Sequence, residues 1–316
     1  MINETECDRK LFKDFAKEIG YEMDDASLEN FQIKFQKAFT FLPELAVFAG
    51  AYSVKKTFQR RTVPPKNIRN NIRIFFHNII SCEALTQGHK DIQIPYVKIL
   101  PCTMSHNSTF VEGTHANVVL VIIDIDYLKS FLKSDIEHFP FLTRKDQHFL
   151  IEEIMSDDIL RTVNEIISNR QTEGLEDFFY KLKTMELLYY LFESLTHRDK
   201  NASNLKLSEK DILSIYKVRD RIASNLSQPQ PINELKKLAG MNELKMRNIF
   251  KQIFGLGIYE YYQHLRMTEA ARLLREEKLS VSETGYALGF ENLSHFTRVF
   301  EQHIGLKPKK YSSQFR

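Results

Sequence analysis

Along the last third of the chain, apolar residues recur at three- and four-residue intervals in two short blocks. Each block reads as a helix, a glycine-containing turn, a second helix and a glycine stop. The first block is 232–255, INELKKLAGMNELKMRNIFKQIFG, and the second is 281–305, VSETGYALGFENLSHFTRVFEQHIG. Aligned from Ile232 and Val281, they share Glu234/Glu283, Gly240/Gly289, Phe250/Phe300, Gln252/Gln302 and Gly255/Gly305, with a single residue inserted after the first glycine. An internal repeat of this kind predicts two helix-turn-helix units in one domain. Asn242 and Asn292 stand where an N-cap belongs, and Ser280 with Glu283 spells a capping box.

In such a unit the second helix lies in the major groove, so its outward face carries the chemistry. In the first copy Met246, Ile249, Phe250 and Ile253 form the inward stripe, which leaves Leu244, Arg247, Asn248 and Lys251 outward. In the second, Phe296, Val299 and Phe300 point inward and Leu293, Ser294, Thr297, Arg298 and Glu301 outward. Arginine can bridge guanine O6 and N7, asparagine can bridge adenine N6 and N7, and leucine or the threonine methyl can touch the methyl of thymine. For Leu244 and Leu293 a place in the core is an equally good reading. Between the copies, Ile258 to Glu277 predicts a linker helix with Tyr262, Arg266, Ala270, Leu273 and Leu274 on one face. A guanidinium on an apolar stripe needs a partner, so Arg266 is expected to be paired and structural.

Upstream the period changes. Between about 30 and 125 the segments Phe31–Phe35, Ala46–Phe58, Ile72–Ile80, Ile92–Leu100 and Asn117–Asp124 are β-like, with Pro64-Pro65, Gln87-Gly88 and Glu112-Gly113 as turns. Several short strands predict a small barrel or sandwich. Residues 126–200 return to helical period, with Asp126, Thr143 and Ser156 as expected N-caps and a regular helix from Leu175 to Thr196. In that helix Leu175, Phe178, Leu182, Met185, Tyr189 and Phe192 make a heptad seam, and Phe179, Leu188, Leu191 and Leu195 a second stripe. One stripe can pack on the strands. The other is either a dimer seam or more core. Residues 5–19 read as a short amphipathic helix. The polar run Asn201–Asn204 marks the boundary between domains 1–204 and 205–316, the latter opening on a helix from Ser208 to Leu226.

Charge sharpens this division. The 316 residues carry a net +3, but from 208 onward there are 18 Lys and Arg against 12 Asp and Glu, and before it 26 against 29. The positive excess coincides with the repeat, where phosphates would be met. Lys307, Lys309, Lys310 and Arg316 are expected backbone contacts. The three cysteines, Cys7, Cys82 and Cys102, lack metal-ligand spacing, which favours a reducing cytoplasm. No run reaches membrane-span length, and MINETECDRK has no secretory core. His77, His89, His106 and His115 include no His-x-His pair with a following Glu, and nucleophile elbow, P-loop and dinucleotide fingerprint are all missing, so no enzyme, metal or cofactor is expected.

The motif Gly289-Phe290, Ser294-x-Phe296-x-Arg298-x-Phe300, Gly305-x-x-Pro308-x-x-Tyr311 resembles the signature of the AraC/XylS family of bacterial transcription regulators, and Arg266, Ala270, Leu273 and Leu274 match its linker helix. Lys245-Met246-Arg247, Phe250-Lys251 and Tyr259–Tyr262 look like the siderophore-responsive subgroup. Gly285 departs from the family's usual alanine and Thr284 from its aliphatic residue, which predicts a looser scaffold helix in the second unit. The resemblance implies an α+β chain: a cupin-like amino-terminal barrel with a helical segment that binds an effector or dimerises, and an all-α carboxy-terminal domain that binds a double-stranded operator and meets RNA polymerase. A homodimer and a small-molecule effector are the partners it implies. An amino-terminal module that only binds protein is the alternative.

Overall fold

The computed structural model describes residues 29–42, 44–64, 70–82, 95–143, 148–168, 174–198 and 205–315. The expected helix at 5–19 and the polar run 201–204 lie outside them. Two compact units part after Lys206.

The first unit is built on an antiparallel six-stranded sheet. Its strands are β1 (Phe31–Leu42), β2 (Leu45–Val54), β4 (Asn71–Cys82), β5 (Tyr96–Pro101), β7 (Thr114–Asp124) and β8 (Ile151–Ile154), in the order β1-β2-β7-β4-β5-β8. A two-stranded ribbon, β3 (Phe58–Thr62) with β6 (His106–Phe110), meets one end of it, where Phe31 lies edge-on to Phe58 and Phe110. Among the described residues the six-stranded ladder runs from β1 to β8 as edges; no hydrogen-bonded closure joins them.

Strand alternation divides the sheet's side chains between two faces. On one, Val47, Ala49, Ile72, Ile74, Phe76, Val119 and Val121 are almost completely buried. They form one core with Ile159, Val163 and Ile166 of α3 (Asp157–Ile167) and with Leu187, Leu188, Leu191 and Leu195 of α4 (Glu176–Thr196). A polar clasp sits inside this interface: Asn78 and Asn117, paired across β4 and β7, both donate from Nδ2 to Asn164 Oδ1, at 2.9 and 3.1 Å. It fixes which turn of α3 sits over which strand pair, because a misplaced helix would leave buried amides unmatched. The opposite face carries a smaller cluster of Phe48, Cys102, Leu120 and Ile122.

Three expectations are corrected. The helix α1 (Ile125–Leu132) follows β7 without a loop, and its N-cap is Asp124, which accepts from Asp126 and Tyr127; Asp126 lies in the first turn. Thr143 is not an N-cap among the described residues. It ends the short α2 (Pro140–Thr143), its hydroxyl bonded back to Pro140 O. The single strand expected over Ala46–Phe58 is broken at exposed Lys55, Lys56 and Thr57 into β2 and β3. Ser156 caps α3 as read, accepting from Ile159 N.

On α4 the two stripes separate. Leu188, Leu191 and Leu195 are buried, whereas Leu175, just before the helix, and Phe178, Leu182 and Tyr189 remain 62, 66, 56 and 62 % exposed. Phe192 at the far end of that seam is buried and Met185 half-buried.

The second unit is all helical: α5 (Glu209–Ala223), α6 (Ile232–Ala239), α7 (Glu243–Phe254), α8 (Ile258–Arg275), α9 (Val281–Ala287), α10 (Leu293–Ile304) and α11 (Pro308–Ser313). The long α8 is the hub, with Tyr261, Tyr262, Leu265, Arg266, Ala270 and Leu274 all buried. An amino-terminal β-rich sheet domain and a carboxy-terminal helical domain thus make up the chain, as the sequence predicts.

Candidate nucleic-acid interface

Each helix-turn-helix unit is built from its caps inward. In the first, α6 stops at Gly240 in the left-handed conformation, and Asn242 starts α7 by accepting from Lys245 N at 2.8 Å. Met246, Ile249, Phe250, Ile253 and Phe254 are buried, and Phe250 and Phe254 pack against Tyr261 of α8. This pins one face of α7 and frees the other. Leu244 is 71 % exposed, Arg247 is exposed, and Asn248 and Lys251 are half-exposed. Arg247 is engaged: its Nε lies 2.8 Å from Glu243 Oε1, one turn earlier. Lys245 is held 2.7 Å from Asp211 on α5.

In the second unit Ser280 and Glu283 form the reciprocal capping box, with Ser280 accepting from Glu283 N and Glu283 accepting from Ser280 N. Those bonds hold the Glu283 carboxyl below its usual pKa. Asn292 accepts from Ser294 N and His295 N, at 2.8 and 3.1 Å, and starts α10. Phe296, Val299 and Phe300 are buried. Ser294 and Arg298 are exposed and Thr297 is half-exposed; no ion pair engages Arg298 among the described residues.

Leu293 behaves differently from the outward residues it was grouped with. It is half-buried, and its Cδ2 lies 2.7 Å from where a Cβ on Gly285 would stand, with Phe296 Cδ1 at 3.3 Å. Gly285 and Leu293 are a matched pair. The missing methyl on α9 is replaced by a leucine from α10, so the scaffold helix is filled rather than loosened. The signal was in the sequence as the departure at Gly285, but its partner could be found only in three dimensions.

The turn between α9 and α10 is anchored by Arg266, paired and structural as the sequence predicts, and by a close contact at Gly289 that the sequence does not predict. Gly289 has φ +76°, and the carbonyl oxygen of Ser227 stands 1.9 Å from the position a Cβ would take. Only glycine fits there, for both reasons. Buried Arg266 donates from Nη2 to Leu288 O at 2.6 Å and from Nη1 to Gln263 Oε1 at 3.3 Å, and its guanidinium lies 3.8 Å from the centre of the Phe290 ring. Tyr262, whose ring centre lies 5.1 Å from that guanidinium, donates to Leu226 O at 3.1 Å. Arg266 is therefore held by a carbonyl, an amide and two rings; burial lowers its pKa from the ordinary guanidinium value. The hub helix thus grips both the turn of the second unit and the segment that leads into the first.

Residues 235–314 match a family profile described as a helix-turn-helix domain. The carboxy-terminal domain is an AraC-type helix-turn-helix domain. Among curated relatives, this chain is 24 % identical over 147 residues to the transcriptional activator RhaR of Escherichia coli, covering 46 % of this chain and 52 % of that one. It is 29 % identical over 150 residues to an uncharacterized HTH-type transcriptional regulator, YdiP, of E. coli K12, covering 47 and 46 %. The chain spans about half the length of these relatives. Among solved structures, an AraC-type regulator from Chromobacterium violaceum is 22 % identical over 34 % of this chain and 96 % of its own, with a TM-score of 0.32. ToxT of Vibrio cholerae is 13 % identical over 91 and 98 %, also at 0.32.

The lysines Lys307, Lys309 and Lys310 at the end of the domain are exposed; Arg316 lies outside the described residues. No helix among the described residues is long and apolar enough to cross a membrane, and no cluster of metal-ligating side chains occurs among them.

Proposed function

We propose that this chain is a sequence-specific, DNA-binding transcription regulator of the cytoplasm. The observation that carries this reading is the pair of capped helix-turn-helix units gripped by one buried hub, in the half of the chain with excess positive charge. Leu244, Arg247, Asn248 and Lys251 on α7, with Ser294, Thr297 and Arg298 on α10, are its base-edge readers; Leu293 packs inside the motif. The terminal lysines supply phosphate contacts and salt dependence. The test is in-vitro selection of duplexes by the full chain. The expected product is a two-block consensus, one block for each unit. Selected pools with no consensus, bound as tightly as random duplex, would refute the reading.

The amino-terminal unit is the regulator's sensor, binding a small effector on the sheet face away from α3 and α4. An effector shifts operator affinity or polymerase contact only if it binds two arrangements of the protein unequally. Operator affinity measured across a metabolite library tests this. A second reading has its own support: the exposed seam Leu175, Phe178, Leu182 and Tyr189 is apolar surface of the kind that pairs with another protein, most simply a second copy. Leu182→Glu separates the two, since it turns a dimer into a monomer in sedimentation and leaves a lone sensor unchanged.

A further inference from the structure

The sheet register lays five residues in one row across five strands. Gln36 pairs with Gly50, Gly50 with Val118, Val118 with His77 and His77 with Tyr96. No bulge interrupts any strand at these positions; the irregularities fall at Ile33/Phe35, Thr40/Leu42 and Ile79/Ser81. All five therefore share the face away from α3 and α4, the face that carries Phe48 and Leu120 in the next row.

Three properties make this row unlike a packed core. First, Val118, His77 and Tyr96 keep partial accessibility, although β7 and β4 are the central strands, while the same strands' other face is fully covered. Second, Gln36 has both amide atoms buried, and among the described residues neither Nε2 nor Oε1 meets a hydrogen-bond partner. A buried amide left so costs stability, and one with a donor and an acceptor side by side is satisfied by a group offering the complement. Third, the far end of the row is polar without carrying net charge. His77 Nε2 is 2.7 Å from Tyr52 Oη and its Nδ1 3.2 Å from Tyr96 Oη. Burial drives its pKa down to about 4, with Lys98 adding to the effect and Glu152 opposing it, so the ring is neutral at physiological pH. Lys98, in the next row, is balanced by Glu152 at 3.6 Å. Arg73 lies two rows away and donates to Met104 O and Pro101 O.

Resting on the sensor reading above, we infer that this row is the effector site and that it takes a small uncharged ring compound bearing a carboxamide, lactam or imide. The amide of Gln36 pairs with the ligand's adjacent donor and acceptor, the Phe48 ring that lies over Gly50 flanks the ligand's ring, Val118 and Phe75 form its apolar floor, and the Tyr52–His77–Tyr96 network meets the other edge with hydroxyls. A carboxylate of the same shape is disfavoured, since it would lose its hydration facing a neutral imidazole and an ammonium already paired.

The test uses the full chain and matched probes: benzamide, nicotinamide and 2-pyridone against benzoate and nicotinate, followed by saturation-transfer NMR and titration. The amides should bind at least tenfold more tightly than the carboxylates. Gln36→Leu should abolish amide binding while leaving the melting temperature equal or higher, because it removes an unmatched buried amide. A marked fall in melting temperature on Gln36→Leu would mean that the amide is structural, and the inference fails. Tyr96→Phe, as a second variant, should weaken the amides without unfolding the unit; unchanged amide affinity in both variants also overturns the site. Carboxylates that bind, and lose binding in Gln36→Leu, would overturn the ligand class and leave the sensor reading standing. Binding by neither set overturns the site, and the sensor reading is then decided by its own library screen.

Discussion

The two helix-turn-helix units descend from one pattern and have been filled in opposite ways. In the first, the outward side chains are already engaged: Arg247 is held by Glu243 and Lys245 by Asp211, while Leu244 projects into solvent. In the second, Leu293 at the equivalent edge is drawn inward against Gly285, and Arg298 is left without an ion pair among the described residues. The second unit is also the one whose turn is gripped from outside, by Arg266 and the Ser227 carbonyl. Repetition in a sequence thus guarantees a shared scaffold but not shared readers. The unit with the more constrained turn has the freer arginine.

The comparison breaks most sharply at Gly289. Gly289→Ala adds a Cβ where Ser227 O stands and forces a positive φ, and should cost at least about 3 kcal/mol. In a domain of this size that lowers the melting temperature by roughly 10 °C or more. Calorimetry of the full chain measures it, and a change under about 1 kcal/mol would mean the contact yields easily. Gly240→Ala, at a turn with open space around it, pays only for the backbone and should cost about 1 kcal/mol.

Arg266→Met comes next. It strands the Leu288 carbonyl and removes the stacking on Phe290, for a loss of about 2–3 kcal/mol. Chemical denaturation gives the stability term. Because Arg266 bonds the second turn while Tyr262 holds the segment before the first unit, footprinting should show the α10 block fading before the α7 block.

Arg298→Ala should cost about 1–3 kcal/mol at a selected operator and relax choice at one base pair. Arg247→Ala should cost less, because wild-type Arg247 must first leave Glu243. Conversely, Glu243→Gln should strengthen binding by up to about 0.5 kcal/mol. Equal losses for the two arginines across all sequences would mark both as phosphate contacts and erase the proposed difference.

The smallest effect is expected at Gly285. Alanine there gains about 1 kcal/mol of helix propensity but displaces the tip of Leu293. The two terms nearly cancel in urea denaturation, and the variant should restore an exposed leucine at the start of α10, as in α7.

How much of this was legible depended on distance along the chain. Caps at Asn242, Ser280, Asn292 and Ser156, and the stripes of α7 and α10, are local patterns and could be read directly. Asp124 was missed because a strand passes straight into a helix there, leaving no loop to advertise the cap. β3 and β6 were missed because Gln59-Arg60-Arg61 and Asn107-Ser108-Thr109 carry little apolar alternation, and β8 because four residues are too short to show a period. The pairing of Leu293 with Gly285, the grip of Arg266 on Leu288 and the row from Gln36 to Tyr96 join residues that only the fold brings together.

The Ser227 carbonyl against Gly289 also sets how the domain can come apart. A segment that precedes the first unit is the seat of the turn in the second, so neither unit is a separable module, despite the duplication. Amide-exchange protection should rise and fall together in the α5–α6 loop and the α9–α10 turn. A fragment beginning at the linker helix would carry a complete motif and still lack the surface it leans on.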